Sequence, residues 1–258
     1  MVEERGPARA LYKGIMLNPA VVVIPTYNEY DNIQPLVERI LGLPVQLDLF
    51  FVDDNSPDGT GRLLDDLSAS TPRVRVLHRP GKLGLGTAYR QAYQTLLKEP
   101  YELFVQMDAD LSHQPEEIPA MIRAVEQTDL AIGSRYCFGG GSRDWPLARR
   151  VLSRGANYLS RGLLGLSIQD STAGFRCYRR SLLERLNAMN IQANGYAFQI
   201  EMAYYSQLLG FRVCEVPIIF EDRRYAMSKM SCSEICSAIK TFASLSLQRI
   251  GKKTDRTG

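Results

Sequence analysis

The stretch Phe104-Val105-Gln106-Met107-Asp108-Ala109-Asp110-Leu111-Ser112-His113 lies at the centre of the predicted fold. A short apolar run ends in two carboxylates separated by one residue, and polar, proline-containing sequence follows. This pattern predicts a buried strand that stops at Asp108 and delivers acidic side chains to a sheet edge, where open α/β folds bind ligands. Two carboxylates on a turn suit a divalent cation such as Mg²⁺ that also contacts a substrate phosphate. The alternative is that Asp110 caps the next helix and Asp108 only ends a strand.

The composition is that of an ordinary globular protein. The 258 residues are 45% hydrophobic and 23% charged, and the net charge of +3 is too small to indicate nucleic-acid binding. Five scattered cysteines favour a reduced, cytosolic compartment over a disulfide framework. Cys232 and Cys236 have no second pair or histidine nearby, so no zinc site is expected. The segment 1–19 has no apolar signal core, and no apolar run is long enough to predict a membrane span.

Apolar runs alternate with helical segments along the first half of the chain. Besides the strand that stops at Asp108, strands are predicted at 20–24, 47–52, 74–77 and 130–133. Helices are predicted at 31–41, 60–68, 88–98 and 115–126. Alternation with short connections predicts an α/β fold, in which a mostly parallel sheet has helices on both faces. The glycine-rich turn at 81–86 matches neither a dinucleotide nor a P-loop motif; a tight turn into a helix is favoured over a flexible substrate loop.

Polar side chains follow several of these strands. The residues are Tyr27, Glu29, Asp54, Asp108 and Asp110. Because the carboxyl ends of parallel strands meet along one edge of a sheet, where nucleotides bind, we expect these side chains to lie close together. Loop capping explains any one of them alone, but the convergence of five favours a functional edge.

The segment 142–162 is rich in arginine. It contains one acid, Asp144, and five arginines: Arg143, Arg149, Arg150, Arg154 and Arg161. If Pro146 opens a helix, Arg149 and Ser153 share a face, and an apolar stripe lies beside them, formed by Val151, Leu152, Gly155, Tyr158 and Leu159. One interpretation is a basic amphipathic helix that takes an anionic lipid head group at a membrane surface. The other is a solvated basic face over an ordinary core contact.

Eight motifs occur in order along the chain. They are PTYNE at 25–29, VDDNSPDGT at 52–60, KLGLGTAY at 82–89, MDADLSH at 107–113, GSRY at 133–136, SRGAN at 153–157, DSTAGFR at 170–176 and EVPI at 215–218. This ordered set resembles the inverting GT-A glycosyltransferases of the family 2 type and, more narrowly, the catalytic subunits of dolichol-phosphate mannose synthases. The predicted organisation is a flexible lead at 1–19, a GT-A domain at 20–230, and a C-terminal amphipathic helix with a polar tail at 231–258. That helix can pack on the domain, lie on the membrane interface or dock on a membrane-bound subunit.

The resemblance implies a role for each matching residue. The donor nucleotide would lie among Pro25, Tyr27, Glu29, Val52 and Asp54. Its diphosphate would be held through a Mg²⁺ or Mn²⁺ ion by Asp108, the Ala109 backbone and Asp110. Arg135 would face the phosphates, so that the catalytic set is Asp108, Asp110 and Arg135. Arg223 and Lys229 would close over the nucleotide from the loop 222–229, in which Ala226-Met227 departs from the family's Gly-Glu. The acceptor phosphate would contact Arg135, Arg149 and Ser153.

The implied reaction transfers mannose from GDP-mannose to dolichyl (polyprenyl) phosphate with inversion. The product, dolichyl β-D-mannosyl phosphate, would be a mannose donor for protein glycosylation and GPI anchors. The protein itself would lie at the cytoplasmic face of the endoplasmic reticulum membrane, with small membrane-tethering subunits as partners. A phosphate-monoester acceptor is already anionic at neutral pH, so it needs positioning cations more than a base. Asp170 is therefore interpreted as structural or as orienting Arg176. The alternatives are glucose transfer from UDP-glucose to polyprenyl phosphate, and a non-catalytic nucleotide-sugar-binding subunit.

Overall fold

The structure, a computed structural model, describes residues 11–12, 15–16, 19–143, 145–189, 191, 193–221 and 245–246. The predictions for Arg223, Lys229, Cys232, Cys236 and Asp144 therefore lie outside the described residues, as do nearly all of 1–18 and 231–258.

The strands follow the predicted apolar runs, with several additions. They are β1 Leu11–Tyr12, β2 Ile15–Met16, β3 Ala20–Thr26, β4 Leu47–Asp53, β5 Val74–His78, β6 Leu103–Gln106, β7 Leu130–Ser134, β8 Gly141–Arg143, β9 Arg176–Arg179, β10 Val213–Pro217 and β11 Ile219–Glu221. The strand expected to stop at Asp108 ends at Gln106, so both carboxylates belong to the following loop.

The helices connect and cover these strands. They are α1 Tyr30–Leu41, α2 Thr60–Ser70, α3 Leu85–Leu96, α4 Ile118–Ala124, α5 Leu147–Leu164, α6 Arg180–Asn187 and α7 Gly195–Leu208, and a 3₁₀ turn, Pro115–Glu117, precedes α4. Helix α3 begins three residues before the predicted start, because Gly84 with its φ of 97° ends the glycine turn directly at Leu85. None of the helices in these ranges has the length and hydropathy needed to cross a bilayer.

A seven-stranded sheet forms the centre of the molecule, with the order β10-β7-β9-β6-β3-β4-β5. Strand β9 is antiparallel to both neighbours, β6 and β7, whereas the other pairs are parallel. The fold is therefore α/β with a mostly parallel sheet, as predicted, and the antiparallel strand is an addition to that prediction. Because β9 runs in the opposite direction, the turn that precedes it lies at the edge where the parallel strands end.

Both faces of the sheet are covered. Along β3, Val21 and Val23 pack into one buried cluster, while Val22 and Ile24 pack into the other, because successive strand residues point to opposite faces. Helices α3, α6 and α7 supply the first cluster, and helices α1, α2 and α4 supply the second. The strands are thus held rigidly by apolar packing, and their carboxyl ends and the following loops carry the polar side chains.

Candidate active site

A cavity of about 750 Å³ opens at the carboxyl edge of the parallel strands. Most of the predicted site residues line it: Pro25, Tyr27, Glu29, Asp54, Asp108, Ala109, Asp110, Arg135 and Arg149. Val52 is fully buried within the sheet and Ser153 lies on the half-buried side of α5, so neither is among the lining residues. Lys82, Gly84 and Leu85 also reach the cavity, so the glycine turn both starts α3 and borders the site.

The strand order arranges the lining residues along this edge. Asp54 follows β4, Tyr27 follows β3, Asp108 follows β6, Gly174 precedes β9, and Arg135 follows β7. Four inter-strand spacings separate β4 from β7, which corresponds to about 19 Å. The edge is therefore long enough to hold an extended ligand with chemically different parts over different strands.

Three loops at this edge contain left-handed residues other than glycine. Asn28 has a φ of 60°, Asn55 of 56° and Leu111 of 61°, and they are the non-glycine residues with positive φ in the described ranges. The conformation costs a leucine about 1–2 kcal/mol. At Leu111 it brings the Ser112 N–H to Asp110 Oδ1 at 3.0 Å, which orients that carboxylate. Backbone strain of this kind concentrates at functional sites.

The loop that bears the two carboxylates is also fixed by His113. The Asp108 N–H donates to His113 Nδ1 at 3.2 Å, and the imidazole ring stacks on Phe175 at 5.2 Å. Asp108 Oδ2 would lie 3.6 Å from a Cβ at Gly174, so the turn before β9 approaches this carboxylate closely. Both carboxylates are thus held by their own loop at the cavity wall.

Asp54 forms a buried ion pair that the sequence did not predict. The Arg79 guanidinium donates from Nε to Asp54 Oδ1 at 2.5 Å and from Nη2 to Oδ2 at 2.6 Å. Arg79 also donates to Thr87 Oγ1 at 2.7 Å, which ties the loop after β4 to the start of α3. Arg79 directly follows β5, so the strand-end pattern that identified Asp54 could also have identified Arg79. A bidentate pair of this type fixes geometry as well as charge.

Arg135 is held by Asp170. Its Nε and Nη2 donate to the two carboxylate oxygens, each at 2.7 Å, and its backbone N–H donates to Oδ2 at 3.0 Å. Burial alone would raise the pKa of Asp170, but the charge and hydrogen bonds of Arg135 outweigh it and hold that pKa below its ordinary value. The prediction that Asp170 orients Arg176 is wrong: Arg176 donates to the carbonyls of Ser171 and Ala173 instead.

Trp145 lies against both arginines that border the cavity. Its ring centroid is 4.8 Å from the Arg135 guanidinium carbon and 4.7 Å from that of Arg149, distances typical of cation–π contacts. The residue is 6% exposed, and its ring also contacts Phe220 at 5.2 Å. Trp145 is the single tryptophan of the chain, a rarity that could have drawn attention to it.

Helix α5 presents most of its large apolar side chains to the outside. Its buried residues are Asn157, Ser160 and Leu164, and Asn157 accepts from the Ser171 N–H at 2.7 Å. Its exposed apolar residues are Leu147 at 76%, Val151 at 63%, Leu152 at 46%, Tyr158 at 71%, Leu159 at 49% and Leu163 at 49%. Phe138, from the loop after β7, is fully exposed as well. Among the described residues the stripe therefore forms no ordinary core contact, and we call these seven side chains the α5 apolar face.

The donor groups at the cavity fit a divalent cation that shares its coordination with a ligand. Within the described ranges, no three histidine, cysteine, aspartate or glutamate side chains are grouped as a complete metal site. Asp108 and Asp110 supply hard carboxylate oxygens at one position of the cavity. Mg²⁺ and similar ions are commonly bound by one or two carboxylates plus substrate phosphates and water. The residues present fit this arrangement.

Comparison with known proteins identifies relatives along most of the chain. Residues 21–186 match the family model described as Glycosyl transferase family 2. The chain is 48% identical over 221 residues to a polyprenol monophosphomannose synthase of Mycolicibacterium smegmatis, which covers 85% of this chain and 83% of that protein. It is 41% identical over 219 residues to an undecaprenyl-phosphate mannosyltransferase of Micrococcus luteus, and the match covers 85% of this chain and 90% of that protein.

Solved structures share the fold at lower identity. A glucosyl-3-phosphoglycerate synthase from Mycobacterium tuberculosis, in complex with Mn²⁺, UDP-glucose and phosphoglyceric acid, superposes with a TM-score of 0.63 at 20% identity, covering 89% of this chain and 80% of that one. A mannosyltransferase from Pyrobaculum calidifontis, in complex with GDP-Man and Mn²⁺, superposes with a TM-score of 0.56 at 16% identity, covering 89% of this chain and 70% of that one. These likenesses establish the GT-A fold.

Proposed function

This chain belongs to glycosyl transferase family 2, and from that premise we propose that it transfers mannose from GDP-mannose to a polyprenyl phosphate with inversion. The names of the two bacterial relatives support mannosyl transfer to a polyprenyl phosphate. The observation that carries the proposal is that one cavity joins a pair of carboxylates to a pair of arginines held on one indole ring.

The nucleotide end of the cavity is assigned to the loops after β3 and β4. Tyr27, Glu29 and Asp54 lie there, and Lys82 Nζ sits 4.4 Å from the Tyr27 ring centroid. Asp108 and Asp110 would hold a divalent cation, which as a Lewis acid stabilises the negative charge of the departing nucleotide. The residues Pro25 and Ala109 border the same surface, so backbone groups are available to the donor.

The acceptor end is assigned to Arg135 and Arg149. A phosphate monoester is a nucleophile without loss of a proton, so the site requires cations that orient it rather than a general base. Asp170, the carboxylate nearest to Arg135, is engaged by that arginine through both oxygens. Its lowered pKa also makes it a poor proton acceptor. Asp170 thus acts as a positioning residue for Arg135.

The lipid chain of the acceptor is assigned to the membrane beside the α5 apolar face. Arg149 at the cavity and the exposed apolar residues belong to the same helix, so a phosphate bound by Arg149 leaves its polyprenyl tail near that face. Arg150, Arg154 and Arg161 lie on the same helix, and they complement anionic lipid head groups. We infer that α5 lies on the membrane surface as an interfacial helix.

The finer predictions rest on the resemblance alone. The dolichyl form of the acceptor, the cytoplasmic face of the endoplasmic reticulum and the tethering subunits stay predictions, because both relatives compared above are bacterial proteins. The division into a lead at 1–19, a catalytic domain at 20–230 and a tail at 231–258 is likewise proposed. So are the contacts of Val52, Ser153, Arg223 and Lys229 with substrate.

The direct test is a transfer assay with a panel of donors. The full chain is incubated with labelled GDP-mannose, UDP-glucose or other nucleotide sugars, vesicles containing polyprenyl phosphate, and Mg²⁺ or Mn²⁺. Labelled lipid is expected from GDP-mannose, with a β linkage by NMR. Transfer from UDP-glucose instead would identify UDP-glucose, and not GDP-mannose, as the donor. A lack of transfer from every donor, with nucleotide-sugar binding retained, would establish the non-catalytic alternative.

A further inference from the structure

Gln199 is a buried amide at the wall of the cavity. The residue is 2% exposed, and neither its Oε1 nor its Nε2 has a hydrogen-bond partner in the part of the chain that the structure describes. It nevertheless belongs to the cavity lining. An amide side chain has two N–H donors and one carbonyl acceptor, and a buried polar group left unsatisfied costs about 1–3 kcal/mol. In a cavity wall, a ligand that supplied the missing hydrogen bonds would remove this cost.

The helix that bears Gln199 is fixed against the sheet edge near Asp108. The neighbouring Phe198 stacks on Tyr89 with a centroid distance of 5.9 Å and an interplanar angle of 6°. Tyr89 in turn donates from its hydroxyl to the carbonyl of Met107 at 3.3 Å, one residue before Asp108. Gln199 therefore belongs to a rigid element that is held in register with the carboxylate loop.

The order of the strands indicates which part of the substrate meets this amide. The loops after β4 and β3 are assigned to the nucleotide, and the loop after β7 is assigned to the acceptor phosphate. Between them lie β6 and β9, whose loops carry Asp108 and Gly174 at the same cavity. In a nucleotide sugar, the part between the diphosphate and the attacking acceptor is the hexose. Hydroxyl groups of a hexose both donate and accept, which matches an amide.

We propose that Gln199 binds the transferred hexose and helps to select its configuration, with its N–H groups donating to one hydroxyl oxygen and its carbonyl accepting from another. This inference rests on the proposed function and deepens it. A site whose buried polar groups pair with substrate hydroxyls rejects an analogue that lacks or inverts them, because the protein groups are then left unsatisfied.

The test compares two glutamines on the same helix. Gln199→Met keeps the length of the side chain and removes its polar atoms, whereas Gln207→Met is the matched control. Gln207 accepts from the Ser167 N–H at 2.8 Å and donates to the Gly165 carbonyl at 2.8 Å, so it is a satisfied structural amide. Three readouts are used. The first is the thermal unfolding midpoint without substrate, the second is the calorimetric affinity for GDP, GDP-mannose and its 2-epimer GDP-glucose, and the third is kcat/KM for both nucleotide sugars.

We expect Gln199→Met to leave the unfolding midpoint unchanged or to raise it, because it removes an unsatisfied buried group. It should reduce the preference for GDP-mannose over GDP-glucose by about tenfold to a hundredfold, while the affinity for GDP stays the same. Gln207→Met should lower the midpoint and keep the sugar preference. A Gln199→Met protein that is less stable but equally selective would identify a water-satisfied structural amide and overturn the proposal.

The two proposals fail in different ways. If the wild-type chain transfers no sugar but binds GDP-mannose more tightly than GDP, only the catalytic function fails. The role of Gln199 is then still tested by whether Gln199→Met loses this difference in affinity. If the wild-type chain binds the two equally, the hexose site is refuted. If transfer is normal and Gln199→Met keeps its donor selectivity, the inference about Gln199 is wrong while the proposed function stands.

Discussion

The carboxylate of Asp170 accepts two hydrogen bonds from the guanidinium of Arg135, each 2.7 Å long, in the interior of the protein. Arg135 follows β7 and Asp170 lies in the turn before β9, so the pair joins two strands that run in opposite directions. Asn157 of α5 contacts the same turn. The ion pair therefore connects the sheet, the arginine at the cavity and helix α5.

The first prediction concerns the substitution Asp170→Asn. The variant keeps the shape of the side chain but leaves the Arg135 cation buried without its counter-charge, and loss of one partner of a buried pair costs about 3–5 kcal/mol. We expect a lower free energy of unfolding and weaker transfer, with the larger effect on the Michaelis constant for the lipid phosphate. Urea unfolding measures the free energy of unfolding, and steady-state kinetics measure the Michaelis constant. An unchanged Michaelis constant for lipid phosphate would contradict the proposal that Asp170 positions Arg135.

The same pair predicts how stability depends on pH. Because the pKa of Asp170 is lowered in the folded state, its carboxylate stabilises the protein above the unfolded-state value of about 3.9, and this contribution is lost as the pH falls through the folded-state pKa. The difference in unfolding free energy between wild type and Asp170→Asn should thus be largest near pH 7 and shrink below about pH 4. A difference that stays constant down to pH 3 would show that the charge of Asp170 contributes nothing.

The third prediction concerns the indole of Trp145. Arg149 lies over its ring, so Trp145→Leu should remove this contact of the guanidinium and raise the Michaelis constant for lipid phosphate about thirtyfold, as a desolvated cation–π contact of roughly 2 kcal/mol implies. Trp145→Phe keeps an aromatic face and should lose less. Arg149→Ala should raise the lipid constant more than the nucleotide-sugar constant. A larger increase in the nucleotide-sugar constant for Arg149→Ala would assign Arg149 to the donor site instead of the acceptor site.

Patterns that are local in sequence predicted most of this architecture. The strand ends at Thr26, Asp53 and Ser134 are marked by apolar runs followed by polar residues, and the sheet then brings Tyr27, Asp54 and Arg135 to one cavity. Strand β9 was not predicted from the sequence because it has four residues and pairs with strands that are distant in the chain. Cys177, for example, pairs with Val105 and Ala131.

The partners of buried charges could not be predicted in the same way. Arg176 is near Asp170 in sequence, but Arg135, which is 35 residues away, is the actual partner because the chain reverses direction between β7 and β9. For α5, the helical period separates a polar side from an apolar side without showing which one faces inward. Asn157 faces inward because it bonds to the 170–172 turn, and both the apolar stripe and the side chains of Arg150, Arg154 and Arg161 are left exposed.

The fourth prediction concerns the metal. Asp110→Asn keeps the oxygen that accepts from the Ser112 N–H but weakens the ligand for a divalent cation. Metal-dependent transfer should fall about a hundredfold or more, with the circular dichroism spectrum unchanged and partial recovery at high Mn²⁺. Glu126→Gln, an exposed carboxylate just after α4, serves as the control and should have normal activity. Full activity of the wild-type enzyme in EDTA would refute the metal role.

The last prediction concerns the α5 apolar face. If it rests on a membrane, the double variant Val151→Ser/Tyr158→Ser should bind vesicles with 30% anionic lipid at least about tenfold more weakly, because burial of each apolar side chain contributes about 1.5–3 kcal/mol. Replacing Arg150, Arg154 and Arg161 by glutamine should weaken binding mainly at low salt, since exposed charges are screened as ionic strength rises.

Two comparisons separate membrane docking from a general loss of structure in these variants. Leu208→Ser alters an exposed apolar residue at the end of α7, outside the α5 apolar face, and should leave vesicle binding intact. Because the face is already exposed, the double variant should unfold at the same temperature as the wild type, and it should transfer mannose normally to a short-chain, water-soluble polyprenyl phosphate. Equal vesicle binding by the double variant and the wild type would mean that α5 meets a different partner.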